Sequence, residues 1–113
     1  MHEYSIVASL VEKVEEIARE HNAMSVRSLL VRIGELSGVE PDLLATAYNT
    51  FREATVCENA DLTILPVAAR WVCPRCTCSI PRGAVLQCSA CRAPARLAEG
   101  DEIVLERVQL EVA

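Results

Sequence analysis

Residues 73–91 decide the organisation of this chain, and they read CPRCTCSIPRGAVLQCSAC. They contain two C-x-x-C steps separated by eleven residues, and each step can curl so that both of its sulfurs face one metal ion. The spacing predicts one tetrahedral zinc site with four thiolate ligands: Cys73, Cys76, Cys88 and Cys91. Because four thiolates leave no open coordination position, we expect a structural site rather than a catalytic one.

The identity of the metal ion stays open at this point. A Cys-Pro-x-Cys step also resembles rubredoxin, so iron is the competing occupant. Cys78 follows the first step closely enough to exchange with a primary ligand, although a spectator thiol is the simpler interpretation. Cys57 lies outside this segment and is expected to be a small apolar core residue.

The composition indicates one small domain with a satellite lobe. The chain has 113 residues, 51% of them apolar, which is enough to bury one core. Its net charge of −5 argues against general nucleic-acid binding. The charge is uneven, because residues 62–98 hold five arginines and no acid, whereas residues 1–61 hold eleven acids and five bases. Four thiolates around one zinc ion are net negative and offset part of that arginine excess.

The sequence shows no targeting or membrane signal. No apolar run is long enough to span a bilayer, and the N-terminus lacks the basic start and apolar core of a secretory signal. We therefore expect a cytoplasmic protein without membrane contact. In that reducing compartment, the six cysteines are interpreted as metal ligands and free thiols rather than as disulfides.

Hydrophobic periodicity predicts two helices and three strands around the cysteine segment. The first helix is expected from Tyr4 to His21, because apolar residues recur every three to four positions. The second begins at Pro41 and runs to about Ala54. The predicted strands are residues 26–33, 62–67 and 103–112, where apolar residues alternate or run together.

These elements predict an α+β fold, in which a small mixed sheet is packed by two helices and carries an inserted zinc-ribbon-like lobe. The cysteine segment lies between two predicted strands, so it leaves the sheet and returns to it. We divide the chain into an α+β domain, residues 1–70 plus 99–113, and a zinc-binding lobe, residues 71–98. Trp71, the only tryptophan, is interpreted as a packing residue at their junction.

The first three residues, Met1, His2 and Glu3, offer a second metal site. The α-amine, the His2 backbone nitrogen and the His2 imidazole Nδ1 form fused chelate rings with a metal that can displace an amide proton. Nickel(II) is such a metal, because its d⁸ configuration favours planar nitrogen donors. The fourth in-plane position is left for Glu3, another backbone nitrogen or a partner's ligand. A bulky second residue protects an initiator methionine from removal, so Met1 is expected to persist.

Four motifs occur in a particular order along the chain. They are Met-His-Glu leading into a helix, Ile-Gly-Glu-Leu at 33–36 closing a strand, Glu-Pro at 40–41 starting a helix, and the paired C-x-x-C steps. This order resembles the HypA/HybF family of nickel-insertion proteins for [NiFe] hydrogenase maturation. The resemblance covers essentially the whole chain, and the ordered set is more specific than any motif alone.

The resemblance implies a nickel metallochaperone that is not an enzyme. Nickel would be cargo, bound at Met1, His2 and Glu3 and delivered for assembly of the [NiFe] hydrogenase metal centre, while zinc on the four cysteines would be structural. The implied partners are a HypB-type GTPase and the hydrogenase large-subunit precursor, with urease maturation proteins added in some members. The protein would be a monomer or a homodimer.

One position departs from the pattern of some relatives. They add a histidine from the zinc lobe to the nickel ligands, but this chain has only His2 and His21, and position 98 is Ala98. Nickel here is then bound by the terminus alone or completed by a partner. His21 is more simply a surface or C-terminal capping residue of the first helix.

Other functions fit the cysteines alone. One alternative is a zinc-ribbon module that binds nucleic acid or another protein. It would use the five arginines of the cysteine segment: Arg70, Arg75, Arg82, Arg92 and Arg96. The acidic flanks and the lack of aromatic residues between these arginines argue against nucleic acid. A rubredoxin-like electron carrier would be red, whereas a zinc protein is colourless. An independent enzyme has the least support, because no nucleophile-base set, open metal site or paired buried carboxylates emerge.

Overall fold

The protein is described from a computed structural model, which covers residues 2–113. Within these residues the protein has two helices and six strands. In chain order these are α1 (His2–Glu20), β1 (Ala23–Gly34), α2 (Pro41–Phe51), β2 (Asp61–Val67), β3 (Arg70–Val72), β4 (Ser79–Ile80), β5 (Arg96–Glu99) and β6 (Ile103–Val112). The molecule is elongated, with extents of 57 × 29 × 16 Å.

Helix α1 forms because its apolar residues share one face. Val7, Val11, Val14 and Ala18 are buried, at the three- and four-residue spacing that places side chains one above another. Full burial of each valine contributes about 1.5–3 kcal/mol, more than the helix propensity of any single residue. The helix ends where His21 Nδ1 lies 3.0 Å from the carbonyl oxygen of Ile17 and Asn22 turns to a φ of 51°. The capping role expected for His21 is therefore confirmed.

The main sheet has the strand order β2-β1-β6. Strand β1 is parallel to β2 and antiparallel to β6, so the sheet is mixed, as the sequence predicted. In β1, Val26, Leu29, Val31 and Ile33 are buried and join the same core as the buried face of α1. The strand begins three residues earlier than expected, at Ala23, because the antiparallel partner β6 extends pairing to Val112.

Helix α2 covers the same core and is joined to α1 by their side chains. Pro41 occupies the first turn, where the missing N–H costs no hydrogen bond. The rings of Tyr4 and Phe51 meet edge to face, with centroids 5.4 Å apart. The helix ends at Phe51, short of the predicted Ala54, because the chain leaves helical geometry and Ala54 takes a φ of 60°.

A second sheet, with the order β4-β3-β5, was not predicted. Strands β3, β4 and β5 contain only three, two and four residues, respectively, too few for a periodic pattern to be recognised in the sequence. The sheet includes Arg70 and Glu99, which pair with each other, so it reaches one residue beyond each end of the segment 71–98. It has its own small core around two buried cysteines, Cys73 and Cys88.

The two sheets meet where three backbone segments cross. The N–H groups of Gly34, Glu35 and Leu36 donate to the carbonyl oxygens of Glu102, Val67 and Gly100, at 2.8, 2.8 and 2.7 Å. A Cβ atom at Gly34 would overlap the backbone of Gly100. The Ile-Gly-Glu-Leu segment at 33–36 is therefore hydrogen-bonded at the two places where the chain passes between the main sheet and the cysteine lobe.

Candidate metal centre

The structure brings together the four cysteines that the spacing predicted, here called the cysteine cluster: Cys73, Cys76, Cys88 and Cys91. Their sulfur atoms all lie within 4.8 Å of one another. The Sγ atoms of Cys73 and Cys91 are 3.4 Å apart, and those of Cys76 and Cys88 are 4.0 Å apart. Two thiolates on one tetrahedral zinc ion, with bonds of about 2.3 Å, lie about 3.8 Å apart. The cluster therefore fits a single tetrahedral ion.

Each C-x-x-C step forms the same tight turn. The N–H of Thr77 donates to the carbonyl oxygen of Cys73 at 2.9 Å, and the N–H of Arg92 donates to that of Cys88 at 2.8 Å. Thr77 and Arg92 have φ angles of 58° and 65°, in the left-handed region. This turn directs both sulfurs of a step to the same side, which is why two separate steps can face one ion.

Backbone N–H groups point at the first sulfur of each step. The N–H groups of Cys76 and Arg75 lie 3.3 and 3.4 Å from Cys73 Sγ. They lower the pKa of Cys73, with the Cys76 N–H as the main cause. The N–H groups of Cys91 and Ala90 lower the pKa of Cys88 to about 6 in the same way. Both buried cysteines are thus favoured as thiolates, the form that binds metal.

The exposed member of the first step behaves differently. Hydrogen bonds with Cys91, then with Cys73 and Cys88, raise the pKa of Cys76 to about 12. Thiolates this close repel one another, so four can coexist only if a cation neutralises them. The four sulfur atoms are therefore suited to binding a metal ion, and sulfur ligands in this geometry suit zinc or iron.

Apolar side chains enclose the cysteine cluster on one side. Cys73 and Cys88 are 0% and 1% exposed, and they pack with Ile80 and Ala93. Trp71 packs against the same group, and it pairs across the sheet with Ile80 and Leu97. The tryptophan expected at the junction therefore belongs to the core of the cysteine lobe itself.

The N-terminal candidates are only partly described. Met1 lies outside the described residues. His2 is exposed in the first turn of α1. The Glu3 carboxylate accepts a hydrogen bond from its own N–H and one from the N–H of Glu40, the latter at 3.4 Å, and these lower its pKa. Within residues 2–113, the cysteine cluster is the group identified as able to hold a metal ion, and it includes neither His2 nor Glu3.

A contact that the sequence analysis missed holds the cysteine lobe to the main sheet. Arg82 donates to both carboxylate oxygens of Glu35, at 2.8 Å from Nη1 to Oε1, and the N–H of Ala69 donates to the same Oε1 at 2.8 Å. The Arg82 guanidinium, and after it the Ala69 N–H, lower the pKa of Glu35 to about 2. These residues are 47 positions apart in sequence, so no local pattern signals the pair.

The arginines of the lobe are partly neutralised. Arg82 is paired with Glu35, and Arg70 Nε lies 3.1 Å from Glu99 Oε1. Two of the five arginines considered for nucleic-acid binding are therefore held by carboxylates of this chain. Phosphate binding by a basic patch depends on free cations, so these pairs weaken that alternative.

The mixed sheet, the two covering helices and the four-cysteine lobe define the class: a small α+β metal-binding protein with a zinc-ribbon-like insertion. The family described as "Hydrogenase/urease nickel incorporation, metallochaperone, hypA" matches residues 1–110. The chain belongs to this HypA family. Its members are metallochaperones and maturation factors, not enzymes.

Named relatives and solved structures agree with this assignment. The chain is 40% identical to "Hydrogenase maturation factor HypA" of Aquifex aeolicus, over 99% of each chain, and 37% identical to that of Wolinella succinogenes, over 98% and 96%. It is also similar to the solution structure of the Ni metallochaperone HypA from Helicobacter pylori, with 30% identity, 98% coverage of both chains and a TM-score of 0.74. A second HypA solution structure gives 31% identity, coverage of 100% and 98%, and a TM-score of 0.81.

Neither helix within residues 2–113 combines the length and the apolar character that a membrane crossing requires.

Proposed function

We propose that this nickel metallochaperone of hydrogenase maturation binds Ni(II) through Met1, His2 and Glu3 and delivers it to the [NiFe] hydrogenase metal centre. Family membership over residues 1–110 is the observation that carries the proposal. The donors are the α-amine, the His2 backbone nitrogen and the His2 imidazole Nδ1. The fourth position is left for Glu3, another backbone nitrogen or a partner's ligand, because residue 98 is an alanine.

The start of helix α1 supports this role. The first four N–H groups of a helix have no partner within it, so the backbone nitrogens of His2 and Glu3 are not committed to helix hydrogen bonds. Nickel can displace amide protons there without breaking a turn of the helix. The His2 side chain is exposed, so a docked acceptor can reach it.

Delivery then consists of ligand exchange. The planar nitrogen donors leave one exchangeable edge on the bound ion, and an acceptor's thiolates bind to the ion at that edge. As nickel leaves, the α-amine and the amide nitrogens take up the protons that they released on binding. Only protons and metal–ligand bonds are exchanged, and no bond between non-hydrogen atoms of either protein breaks, so the step requires no catalytic group.

The cysteine cluster is proposed to hold a structural zinc ion. Cys73, Cys76, Cys88 and Cys91 would fill all four positions, so the ion would order the lobe, residues 71–98, rather than exchange cargo. The nickel-binding part would then be residues 1–70 plus 99–113. Iron in the same site would give a red protein, so a colourless protein with one equivalent of zinc would exclude it.

The partners are proposed from membership of the HypA family. A HypB-type GTPase and the hydrogenase large-subunit precursor are the expected partners, and urease maturation proteins follow from the hydrogenase/urease description of the family.

The test compares nickel binding by untagged protein with that of three variants. His2→Ala and a variant with two residues added before Met1 should lose the nickel site and keep zinc. His21→Ala is the matched control, because it removes the only other histidine of the chain without touching the terminus. X-ray absorption should show nitrogen-rich nickel and sulfur-bound zinc in the same wild-type sample. Unchanged nickel stoichiometry in both terminal variants would refute binding at Met1, His2 and Glu3.

A further inference from the structure

A fifth thiol lies beside the cysteine cluster. Cys78 Sγ is 3.9 Å from Cys88 Sγ, while Cys76 Sγ is 4.0 Å from the same atom. Both separations match the value of about 3.8 Å expected for two thiolates on one tetrahedral zinc ion. Measured from Cys88, the two thiols are therefore equally close. Cys78 is not one of the four sulfurs that all lie within 4.8 Å of one another, so it can replace Cys76 only if the turn at Thr77 brings it nearer to the other ligands.

Cys76 and Cys78 also share an exposed edge of the cluster. Both are exposed, whereas Cys73 and Cys88 are buried and Cys91 is half-buried. Only Thr77 separates them, and it has a φ of 58°. A β-branched residue in this region is strained, so the backbone between the two thiols is not at a deep energy minimum. The carbonyl of Cys78 accepts a hydrogen bond from the N–H of Cys73 at 2.9 Å, which keeps Cys78 next to the site.

We propose that Cys78 is an alternate fourth ligand of the ion held by the cysteine cluster, in exchange with Cys76. The inference rests on the proposed metal occupancy of that cluster. Cys73, Cys88 and Cys91 stay bound, while the exposed position is filled by one thiolate or the other. As Cys78 binds, its thiol releases a proton, and the departing Cys76 thiolate takes up one, so the exchange needs no oxidant and leaves the charge unchanged.

Cobalt(II) substituted for zinc reports the exchange, because the intensity of its thiolate charge-transfer bands counts the sulfur ligands. The wild type, Cys76→Ser and Cys78→Ser should all show four thiolates, since either thiol completes the site. The double variant, Cys76→Ser with Cys78→Ser, should lose about a quarter of that intensity, as one of four thiolates is missing. A three-thiolate spectrum for Cys76→Ser alone would overturn the proposal. Fewer than four thiolates in the wild type would instead refute the cluster as a tetrathiolate site.

A second measurement starts from the zinc-loaded wild type, and its one variant, Cys78→Ser, keeps all four residues of the cysteine cluster. Alkylation followed by mass spectrometry should find Cys76 and Cys78 each partly protected. In Cys78→Ser, Cys76 should become several-fold more protected, because no thiol displaces it. Protection of the buried Cys73 should not change and serves as the internal control. Full alkylation of Cys78 with no change at Cys76 would contradict the exchange.

Discussion

At the scale of single residues, the backbone of the C-x-x-C turns stands out. Thr77 and Arg92 follow the second cysteine of each step, and both adopt left-handed φ angles without being glycine. For an L-residue this geometry costs about 1–2 kcal/mol. The turns keep it because it allows each step to direct two sulfurs to one side.

We therefore expect Thr77→Gly to stabilise the zinc-loaded protein. Relief of the left-handed strain outweighs the greater freedom of glycine in the unfolded chain, which leaves a gain of about 0.5–1 kcal/mol. The free energy of unfolding at fixed free zinc is the measurement. Thr63→Gly, in strand β2, is the matched control and should destabilise, because no left-handed strain is relieved there. Destabilisation by Thr77→Gly as well would show that the turn stores no strain.

A second residue-scale prediction concerns the hydroxyl group of Tyr48. The side chain is 1% exposed, and its hydroxyl donates to the carbonyl oxygen of Ala60 at 2.8 Å. Burial is the main reason that its pKa is raised, so the hydroxyl stays protonated and remains a donor. Tyr48→Phe should cost about 1–2 kcal/mol in denaturant unfolding. Tyr4→Phe, at a 40% exposed position, should change stability by less than about 0.5 kcal/mol. Equal losses in both variants would contradict a role for the buried bond.

At the scale of elements, the close approach at the end of β1 decides how the two sheets connect. Gly34 leaves no room for a side chain against Gly100, and a Cβ at Gly100 would itself lie 2.5 Å from the Cα of Ala69. The chain can therefore leave β1 through Gly34, Glu35 and Leu36 with all three N–H groups bonded to neighbouring segments. The glycines are explained by packing of backbone against backbone.

Gly34→Ala should accordingly destabilise the protein by about 3 kcal/mol or more, since the overlapping atoms are backbone and cannot rotate away. Gly38→Ala is the control, because Gly38 has open space around its Cα and loses only its left-handed freedom. That substitution should cost about 1 kcal/mol. Chemical denaturation followed by circular dichroism compares the two. A smaller loss for Gly34→Ala than for Gly38→Ala would show that the segments can move apart.

At the scale of the whole molecule, an ion pair links the main sheet to the cysteine lobe. The Glu35 carboxylate binds Arg82 of the lobe and the N–H of Ala69 in the connection, and its pKa is lowered to about 2. A lowered carboxyl pKa stabilises the folded state at pH values above the ordinary 4.5. This stabilisation is lost as the pH falls from there toward 2.

The amide resonance of Ala69 reports this pair directly. A neighbouring glutamate with an ordinary pKa would shift this resonance between pH 6 and pH 4. In the wild type the Ala69 resonance should not shift over that range, because Glu35 stays ionised throughout. In Arg82→Gln the amide should begin to titrate within that range, since the main cause of the lowered pKa is removed. Glu111→Gln, which removes the exposed partner of Arg27, should leave the Ala69 titration as in the wild type. Identical titrations in wild type and Arg82→Gln would mean that the pair does not form in solution.

The sequence by itself determined the main helices and strands, the α+β class and the grouping of four cysteines. Periodicity reports which face of a long element is buried, and C-x-x-C spacing is set by the geometry of one turn, so both are local properties. Only the tertiary structure revealed β3, β4 and β5, the Glu35–Arg82 pair and the position of Cys78 beside Cys88. The strands are too short for a pattern, and the contacts join residues 47 and 10 positions apart, so folding alone brings them together.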